Sequence, residues 1–384
     1  MDYDVIVVGC GVAGLSAALT AAEQGAKVAL LERSTKDVRG GNSRYTEAYF
    51  RMPSETEISG DFEERLVENS AGSVPPGFLR FTLKPYDQWP LTLKGYGFTD
   101  PQLIGSFAED VVGTVAWLKG FGVKFIESSP FVTQITTRMA PVGGGEALVE
   151  ALAPAAEGKG VTFYYETAGQ SLIQNEKGEI TGVRVWSNRE GYEDFTSKAV
   201  VLASGGFQGN LEMMTKYVGS HAHLTRPVSP GGLYNKGEGI EMALGVGAAP
   251  AGQYDAFHAE TVDPRSEDPE PSIFIFPYGI LVNKLGERFI DEGFNLSDLS
   301  YEEIARTIFR QPGGIAYCIY DSKIEKVPVY EKGIRTDKGP IKAKSIKEMA
   351  AKLEIEPSSL EETIRNYNAA VQDGNFDPLT LDGK

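Results

Sequence analysis

The chain opens on a short uninterrupted apolar run, Val5-Ile6-Val7-Val8, with the length and β-branched content of a strand buried on both faces. It passes into Gly9-Cys10-Gly11-Val12-Ala13-Gly14 and then Leu15 to Gln24, where alanine dominates and predicts a helix that Gly25 ends. A second apolar strand, Lys27 to Leu31, delivers Glu32 and completes one strand, helix, strand unit in about 30 residues. Thr99-Asp100-Pro101 opens a helix running through Phe107, Val111 and Trp117 to Gly120, and Gly145 to Glu157 predicts another. Val161 to Glu166 reads as a strand, and Leu172 to Gln174 with Gly182 to Trp186 as a hairpin across the polar turn Asn175 to Glu179. Ala199 to Ala203 returns as a buried strand into Ser204-Gly205-Gly206. A boundary falls near Gly252. Beyond it the acidic, proline-rich stretch Asp263 to Pro271 reads as a loop, and helices are expected over Tyr301 to Arg310, Ile346 to Leu353 and Leu360 to Val371. Ser358 and Ser359 precede the last of these, with Glu361 and Glu362 as capping-box partners.

Composition narrows the function classes. The chain has 384 residues, 41% hydrophobic and 23% charged, enough for two or three domains with substantial cores. With 37 Lys and Arg against 53 Asp and Glu the net charge is -16, which excludes an affinity built on neutralising nucleic-acid phosphates. No run approaches the roughly 18 to 20 apolar residues of a membrane span. Cys10 and Cys318 are far apart, with no Cys/His cluster, so neither a disulfide framework nor a zinc site is expected. Met1-Asp2-Tyr3-Asp4 has no basic segment ahead of the first strand, and cytoplasmic residence is the expectation.

The pattern G-x-G-x-x-G carries little by itself: with 44 glycines in 384 residues, about 0.6 chance matches are expected. Its context carries much more. The pattern follows an apolar strand, opens an alanine-rich helix, and is followed by Glu32 at the end of the next strand. In that setting Gly9 makes the tight turn, Gly11 lets the backbone approach a pyrophosphate, and Gly14 permits close helix packing. The helix amino terminus offers unpaired N–H groups and a positive dipole end to the phosphates. Glu32 is placed to accept from a ribose hydroxyl, and its carboxylate would repel a 2′-phosphate, which disfavours NADP.

Five further stretches carry a resemblance. They are Glu32-Arg33, then Gly40-Gly41-Asn42-Ser43, then Ala203-Ser204-Gly205-Gly206-Phe207, then Asn235 to Ala243, then Gly279 to Phe289. In this order they resemble the FAD-dependent fumarate reductase and succinate dehydrogenase flavoprotein family, and within it Gly-Gly-Asn-Ser-Arg and Tyr278 to Asn283 look most like the tricarballylate dehydrogenases. The likeness spans essentially the whole chain. It implies an α/β fold: a doubly wound, Rossmann-like FAD-binding domain over residues 1–252 and a second, α+β capping domain over residues 253–384. It implies that Gly9, Gly11, Val12, Ala13 and Gly14 hold the pyrophosphate and Glu32 the adenosine ribose, with Arg33 beside them. Gly41, Asn42 and Ser43 would lie against the pyrophosphate and flavin ring, Ala168 would give backbone to the adenine side, and Ser204 and Gly205 would close over the phosphates. Glu238 stands where the family usually has Asp, one methylene shorter, so whatever that carboxylate orients is shifted. Members with covalent flavin use a His near the double glycine, whereas His221, His223 and His258 are remote from Gly40 in sequence. Non-covalent FAD is therefore expected.

The implied reaction moves a hydride between flavin N5 and a substrate carbon, interconverting a C–C single and double bond beside a carboxylate or carbonyl. The implied partners are a small carboxylate or enone substrate and an electron-transfer partner such as an iron-sulfur membrane protein. His258 fills the place of a family His that holds a substrate carboxylate. The family's proton-donating Arg is expected four or five residues after Glu292, where Leu296 and Ser297 stand, and its relay Glu and Arg fall near Ser272 and Ile275. Fumarate reduction by that path is therefore not expected, and His258, Tyr278 and Glu292 are the candidates for proton transfer. Arg44, Arg51, Arg138 and Arg226 are further candidate cations for an acidic ligand, and the aromatics Tyr234, Tyr254, Phe257, Phe274, Phe276, Tyr278 and Phe294 suggest a substrate bulkier or less charged than fumarate. Two other readings stand: a ketosteroid-type dehydrogenase of the same architecture, and a flavin-carrying electron-transfer or assembly subunit without its own catalytic site. The chain stops at Lys384, short of the family's glycine-rich closing segment. Either the sequence is truncated or something else completes the flavin site.

Overall fold

The computed structural model describes residues 1–50, 52–57, 88, 101–128, 138–293, 297–372 and 374. The chain divides into two units, one comprising Met1–Ser128, Thr137–Tyr217 and Ser229–Ala256, the other including Val218–Val228 and Phe257–Lys384.

In the first unit β1 (Tyr3–Val8), α1 (Val12–Glu23) and β2 (Val28–Leu31) form the predicted opening unit, and Gly25, at φ +85°, follows the helix end in the left-handed region. α2 (Gly41–Tyr45) is a single short helix, α3 spans Pro101–Gly120, and β3 (Phe125–Ser128) pairs antiparallel with β4 (Arg138–Pro141). The Thr99-Asp100 cap expected for α3 lies outside the described residues. Then come α4 (Gly144–Gly158), β5 (Thr162–Tyr164), β6 (Thr167–Gln174), β7 (Ile180–Ser187), β8 (Gly191–Leu202), α5 (Leu211–Tyr217) and α6 (Glu238–Gly245).

Six of these strands form one sheet in the order β5-β2-β1-β8-β7-β6. β5, β2, β1 and the second half of β8 are parallel, whereas the first half of β8 pairs antiparallel with β7, and β7 with β6. Alternation along β1 loads both faces, as a pleated strand must. Val7 joins Leu15 and Leu19 of α1 and Val149 and Leu152 of α4 on one side, while Ile6 and Val8 join Val183, Val185 and Met242 on the other. Ile6, Val7, Leu15, Leu19 and Leu152 are fully buried, each contributing about 1.5 to 3 kcal/mol by the transfer of its apolar surface. The result is the mixed α/β layer structure expected for a doubly wound nucleotide-binding domain, with the glycine loop at the carboxyl end of β1.

In the second unit β9 (Ile280–Asn283) pairs antiparallel with β10 (Ala316–Ile319), which follows α7 (Ser297–Phe309), and the chain continues through α8 (Ile346–Leu353) and α9 (Pro357–Ala370). Ile280 and Val282 pack with Ala350, Leu353 and Leu360, and Leu281 packs on the opposite side with Phe276 and Ile304. The expected start of the last helix needs correction. Pro357 takes the first helical position and Glu356 the cap, so Ser358 and Ser359 lie inside the helix and form no capping box. Ser359 Oγ instead donates to the Leu285 carbonyl at 2.5 Å.

Candidate functional site

The glycine loop of the first unit is set by close approach of backbone to backbone. A Cβ at Gly14 would stand 1.9 Å from the Gly9 carbonyl oxygen, and one at Gly9, itself at φ +107°, would stand 2.4 Å from Ala203 O. Only glycine fits either place. α1 begins after Gly11 with no side-chain cap of its own, and the Val12 amide donates to Ser43 Oγ at 3.2 Å. Val12 and Ala13 thus form the first turn of the helix whose positive end faces the loop. Glu32 is buried, and its carboxylate accepts from the Cys10 amide at 3.0 Å and the Ser34 amide at 2.8 Å. It shapes the loop, and its oxygens keep further lone pairs of the kind that can accept from a hydroxyl. The Cys10 thiol is pushed up to about 12 by burial and by the neighbouring Glu32 carboxylate, so it is an inert packing group.

Other expected nucleotide residues gather around this loop. Arg33 Nη2 lies 2.9 Å from Glu238 Oε1 and its Nη1 donates to the Tyr234 carbonyl, so the longer carboxylate at 238 is used to hold Arg33. A Cβ at Gly239 would stand 2.1 Å from Ser204 Oγ, and one at Gly205, at φ +76°, would stand 2.8 Å from Asn235 Oδ1. Ser204 and Gly205 are therefore clasped between the turn before α6 and its first residues. Asn42 Oδ1 accepts from Ser229 Oγ at 3.0 Å, and a Cβ at Gly231 would meet the Gly41 carbonyl carbon at 2.3 Å. Gly41 itself has open space where its Cβ would be. Ala168 lies on β6 beside Thr167, whose amide donates to Glu32 O at 2.9 Å. A groove of about 290 Å³ at the end of β8 is lined by Leu202, Ser204, Gly205, Gly239, Ala243 and Tyr254. Glycines that leave backbone exposed at a helix amino terminus, beside a buried carboxylate, fit a dinucleotide.

The proton-transfer candidates lie in the second unit. His258 Nδ1 is 3.7 Å from Glu302 Oε2, and Nε2 is 3.9 Å from Glu260 Oε1 and 3.4 Å from Tyr301 Oη. The neighbouring Glu260 and Glu302 carboxylates raise the imidazole to about 9, against a burial effect that lowers it. Glu260 accepts from Ser272 Oγ at 2.6 Å, so a carboxylate reaches Ser272 from twelve residues earlier in the chain. Glu302 also takes Arg306 Nη2 at 2.8 Å. Tyr278 ends a 3-10 turn, and burial raises its hydroxyl above the ordinary value. Glu292 is buried with its carboxylate committed: Leu281 N donates to Oε1 at 2.6 Å, and Arg288 Nε and Nη2 donate to Oε2 at 2.8 and 2.6 Å. Burial raises its carboxyl, with Arg288 opposing.

The remaining cations and aromatics divide. Arg44 is paired with Glu146 and Glu150, and Arg226 donates to the carbonyls of Ser266 and Asp263. Arg51, Phe294, Leu296 and the side chains of Arg138 and Ser297 lie outside the described residues. Tyr254 packs with Phe207 and Tyr217, Phe257 with Phe309, and Phe274 edge-on against Tyr301, while Phe276 is core. Sequence reasoning missed Glu260, Tyr301 and Glu302, whose only signal is a Glu two residues after His258 and a Tyr-Glu pair at the start of a helix.

Among the described residues no helix is long and apolar enough to cross a membrane, and no group of His, Cys, Asp and Glu is arranged to hold a metal ion. The fumarate reductase (cytochrome) of Shewanella frigidimarina is 27% identical over 378 residues, covering 97% of this chain and 61% of its own length. The chain thus spans about three fifths of that relative. The vinyl phenol reductase of Lactiplantibacillus plantarum (strain ATCC BAA-793 / NCIMB 8826 / WCFS1) is also 27% identical, over 98% of this chain and 78% of its own. The open conformation of a flavocytochrome c3 fumarate reductase shares the fold, with a TM-score of 0.70 at 23% identity over 99% of this chain and 64% of that one. The family described as FAD binding domain matches residues 4–378, which takes in every glycine contact and carboxylate described above. The chain belongs to this FAD binding domain family, and its cofactor is FAD.

Proposed function

We propose that this chain is the flavin-bearing catalytic part of an oxidoreductase that interconverts a C–C single and double bond beside a carboxylate or carbonyl. The observation that carries the reading is the glycine loop, with Gly9, Gly11 and Gly14, the α1 terminus and buried Glu32 built as one dinucleotide seat. Bound FAD supplies hydride transfer at N5. Residues 1–252 hold the cofactor without a covalent link, and residues 253–384 act as the cap that binds substrate. Gly9, Gly11, Val12, Ala13 and Gly14 carry the pyrophosphate, Glu32 the ribose, Gly41, Asn42 and Ser43 the pyrophosphate and ring, and Ala168, Ser204 and Gly205 the remaining backbone contacts. Arg33 and Glu238 hold this set in place by pairing with each other.

His258 is the proton donor for alkene reduction in this reading. Glu260 and Glu302 keep it an imidazolium at neutral pH, and it delivers its proton to the carbon beside the one that receives the hydride. In the opposite direction the neutral imidazole takes that proton back. Tyr278 stays a phenol and serves as a hydrogen-bond donor. Glu292 acts by orienting β9 through its bonds to Leu281 and Arg288. Because Glu260 and Glu302 already balance much of the His258 charge, the cap favours a substrate less anionic than fumarate, such as an aryl-conjugated alkene or an enone; a larger carboxylate resembling tricarballylate is the alternative that rests on the aromatic residues of the chain and on bulk, not on charge. The name of the relative vinyl phenol reductase fits such a preference.

The test is anaerobic. Photoreduced holoprotein is mixed with fumarate, a hydroxystyrene, a cyclic enone and an unsaturated tricarboxylate while flavin absorbance is followed. We expect the uncharged or larger alkenes to reoxidise the flavin faster than fumarate, by about 10²-fold or more where general acid catalysis is fully engaged. If fumarate is fastest, the substrate assignment fails; if no alkene reoxidises the flavin, the reaction class fails.

A further inference from the structure

The double-glycine loop is anchored by residues outside the nucleotide fingerprint. α2 is only five residues long, too short to hold itself together, and Gly40 and Gly41 sit at φ +112° and +54°. Such a segment on its own would sample many conformations. Arg39 and Arg44 bracket it in sequence, and both reach Glu150 on α4: Arg39 Nη2 lies 2.6 Å from Oε2, and Arg44 Nη1 lies 2.8 Å from Oε1. Arg39 is 5% exposed in its side chain and also donates to Tyr165 Oη at 3.2 Å, and Arg44 pairs with Glu146 one turn earlier on α4. Burial raises the Glu150 carboxyl, but the Arg44 and Arg39 guanidiniums override that and hold it below its ordinary value. Packing agrees with the charges. A Cβ at Gly145 would stand 1.7 Å from Ser43 O, and one at Gly40 would stand 2.9 Å from Val149 Cγ2. At its other end the loop places Ser43 Oγ on the Val12 amide.

We propose that Glu150 is a positioning residue for the cofactor: one carboxylate, shared by Arg39 and Arg44, fixes the Gly40 to Ser43 loop on α4 and thereby sets where Ser43 meets the amino end of α1. The proposal rests on the reading that Gly41, Asn42 and Ser43 lie against FAD. Removing the Glu150 charge leaves Arg39 buried beside a neutral group, so the loop must rearrange. Ser43 and Glu150 then act on FAD through one another, Ser43 by its bond to the Val12 amide and Glu150 by its bonds to Arg39 and Arg44.

A double-mutant cycle on FAD binding tests this. The dissociation constant is measured by flavin fluorescence on the full chain for wild type, E150Q, S43A and E150Q/S43A, alongside the apoprotein melting temperature. S43A and E150Q should each weaken FAD by roughly 5- to 10-fold, and the double variant should bind about as well as E150Q alone, because the displaced loop no longer presents Ser43. The effects on apoprotein melting should add, which a merely structural role would also predict for binding. If the two effects on FAD multiply, or if E150Q binds within about twofold of wild type, Glu150 only supports α4 and the proposal is overturned. If S43A alone binds like wild type, the placement of the loop at the cofactor is wrong, and the proposal goes with it. Should E150Q not accumulate as folded protein, R44Q removes one of the two links without touching Glu150. It is expected to weaken FAD by roughly 3- to 10-fold, and wild-type affinity in R44Q counts against the proposal.

Discussion

His258 shows how far a single side chain is defined by neighbours that are distant in sequence. Its imidazole lies between Glu260, two residues on, and Glu302 in the second turn of α7, and the two carboxylates raise it to about 9. A free imidazole titrates near 6.5, so the folded state favours the proton. The contribution to stability is therefore fully present below about pH 6.5 and is lost as pH rises through about 9. With His258 as the proposed proton donor, the imidazolium is the competent form, so the rate of alkene reduction should be level through neutrality and fall above about pH 9. E302Q removes one of the charges that favour the proton, and the falling limb should move to lower pH. A stopped-flow profile of flavin reoxidation reads this, and NMR titration of the three histidines, with H258N identifying the signal, reads the same pKa without turnover. An unmoved limb and an unmoved resonance in E302Q would show that Glu302 does not set the charge. The fingerprint, by contrast, was legible from sequence because its residues are contiguous, whereas Glu260, Ser272 and Glu302 come together only in the fold.

At the scale of elements, what could be read depended on whether burial leaves a pattern. β1, α1, β2 and α4 were expected close to their observed bounds because both sheet faces are covered and the apolar runs are dense. β8 was expected only over its apolar second half. Its first half, Gly191 to Thr196, is largely polar and pairs with β7 in the antiparallel part of the sheet, where one-sided exposure dilutes the hydrophobic signal. β10 is four residues long and partly exposed throughout, too little for periodicity to register. α9 illustrates a different loss: two serines ahead of two glutamates match a capping box, yet Pro357 fixes the start of the helix three residues before Leu360. The two serines should therefore respond differently to truncation. S359A removes the bond to the Leu285 carbonyl and should cost about 1 kcal/mol, a fall of a few degrees in melting temperature, whereas S358A, whose hydroxyl reaches only the exposed Glu356 carboxylate, should be nearly neutral. Equal losses, or a larger one for S358A, would restore the capping-box assignment.

At the scale of the molecule, the residues that fit FAD and the histidines belong to different units. The glycine loop, Glu32 and the double glycine are in the first unit, while His221, His223 and His258 are all in the second, the first two on the segment Val218–Val228 that sequence gave no reason to separate from its neighbours. The residues flanking Gly40 and Gly41 in sequence, Arg39, Asn42, Ser43 and Arg44, are all engaged in hydrogen bonds or ion pairs, and none carries an imidazole or a thiol. Cys10 is buried in the fingerprint, and its thiol, pushed up to about 12, is almost entirely protonated at neutral pH and a poor nucleophile. On the reading proposed above, backbone amides, the helix dipole and a carboxylate hold the cofactor, interactions that vanish when the chain unfolds. Denaturing the holoprotein with acid should consequently release the flavin into the supernatant, identical in mass to authentic FAD, with none left on the washed pellet. Yellow colour that survives washing and follows the polypeptide through a denaturing gel would mean that a side chain near the ring forms a covalent link, and the non-covalent assignment would have to be abandoned.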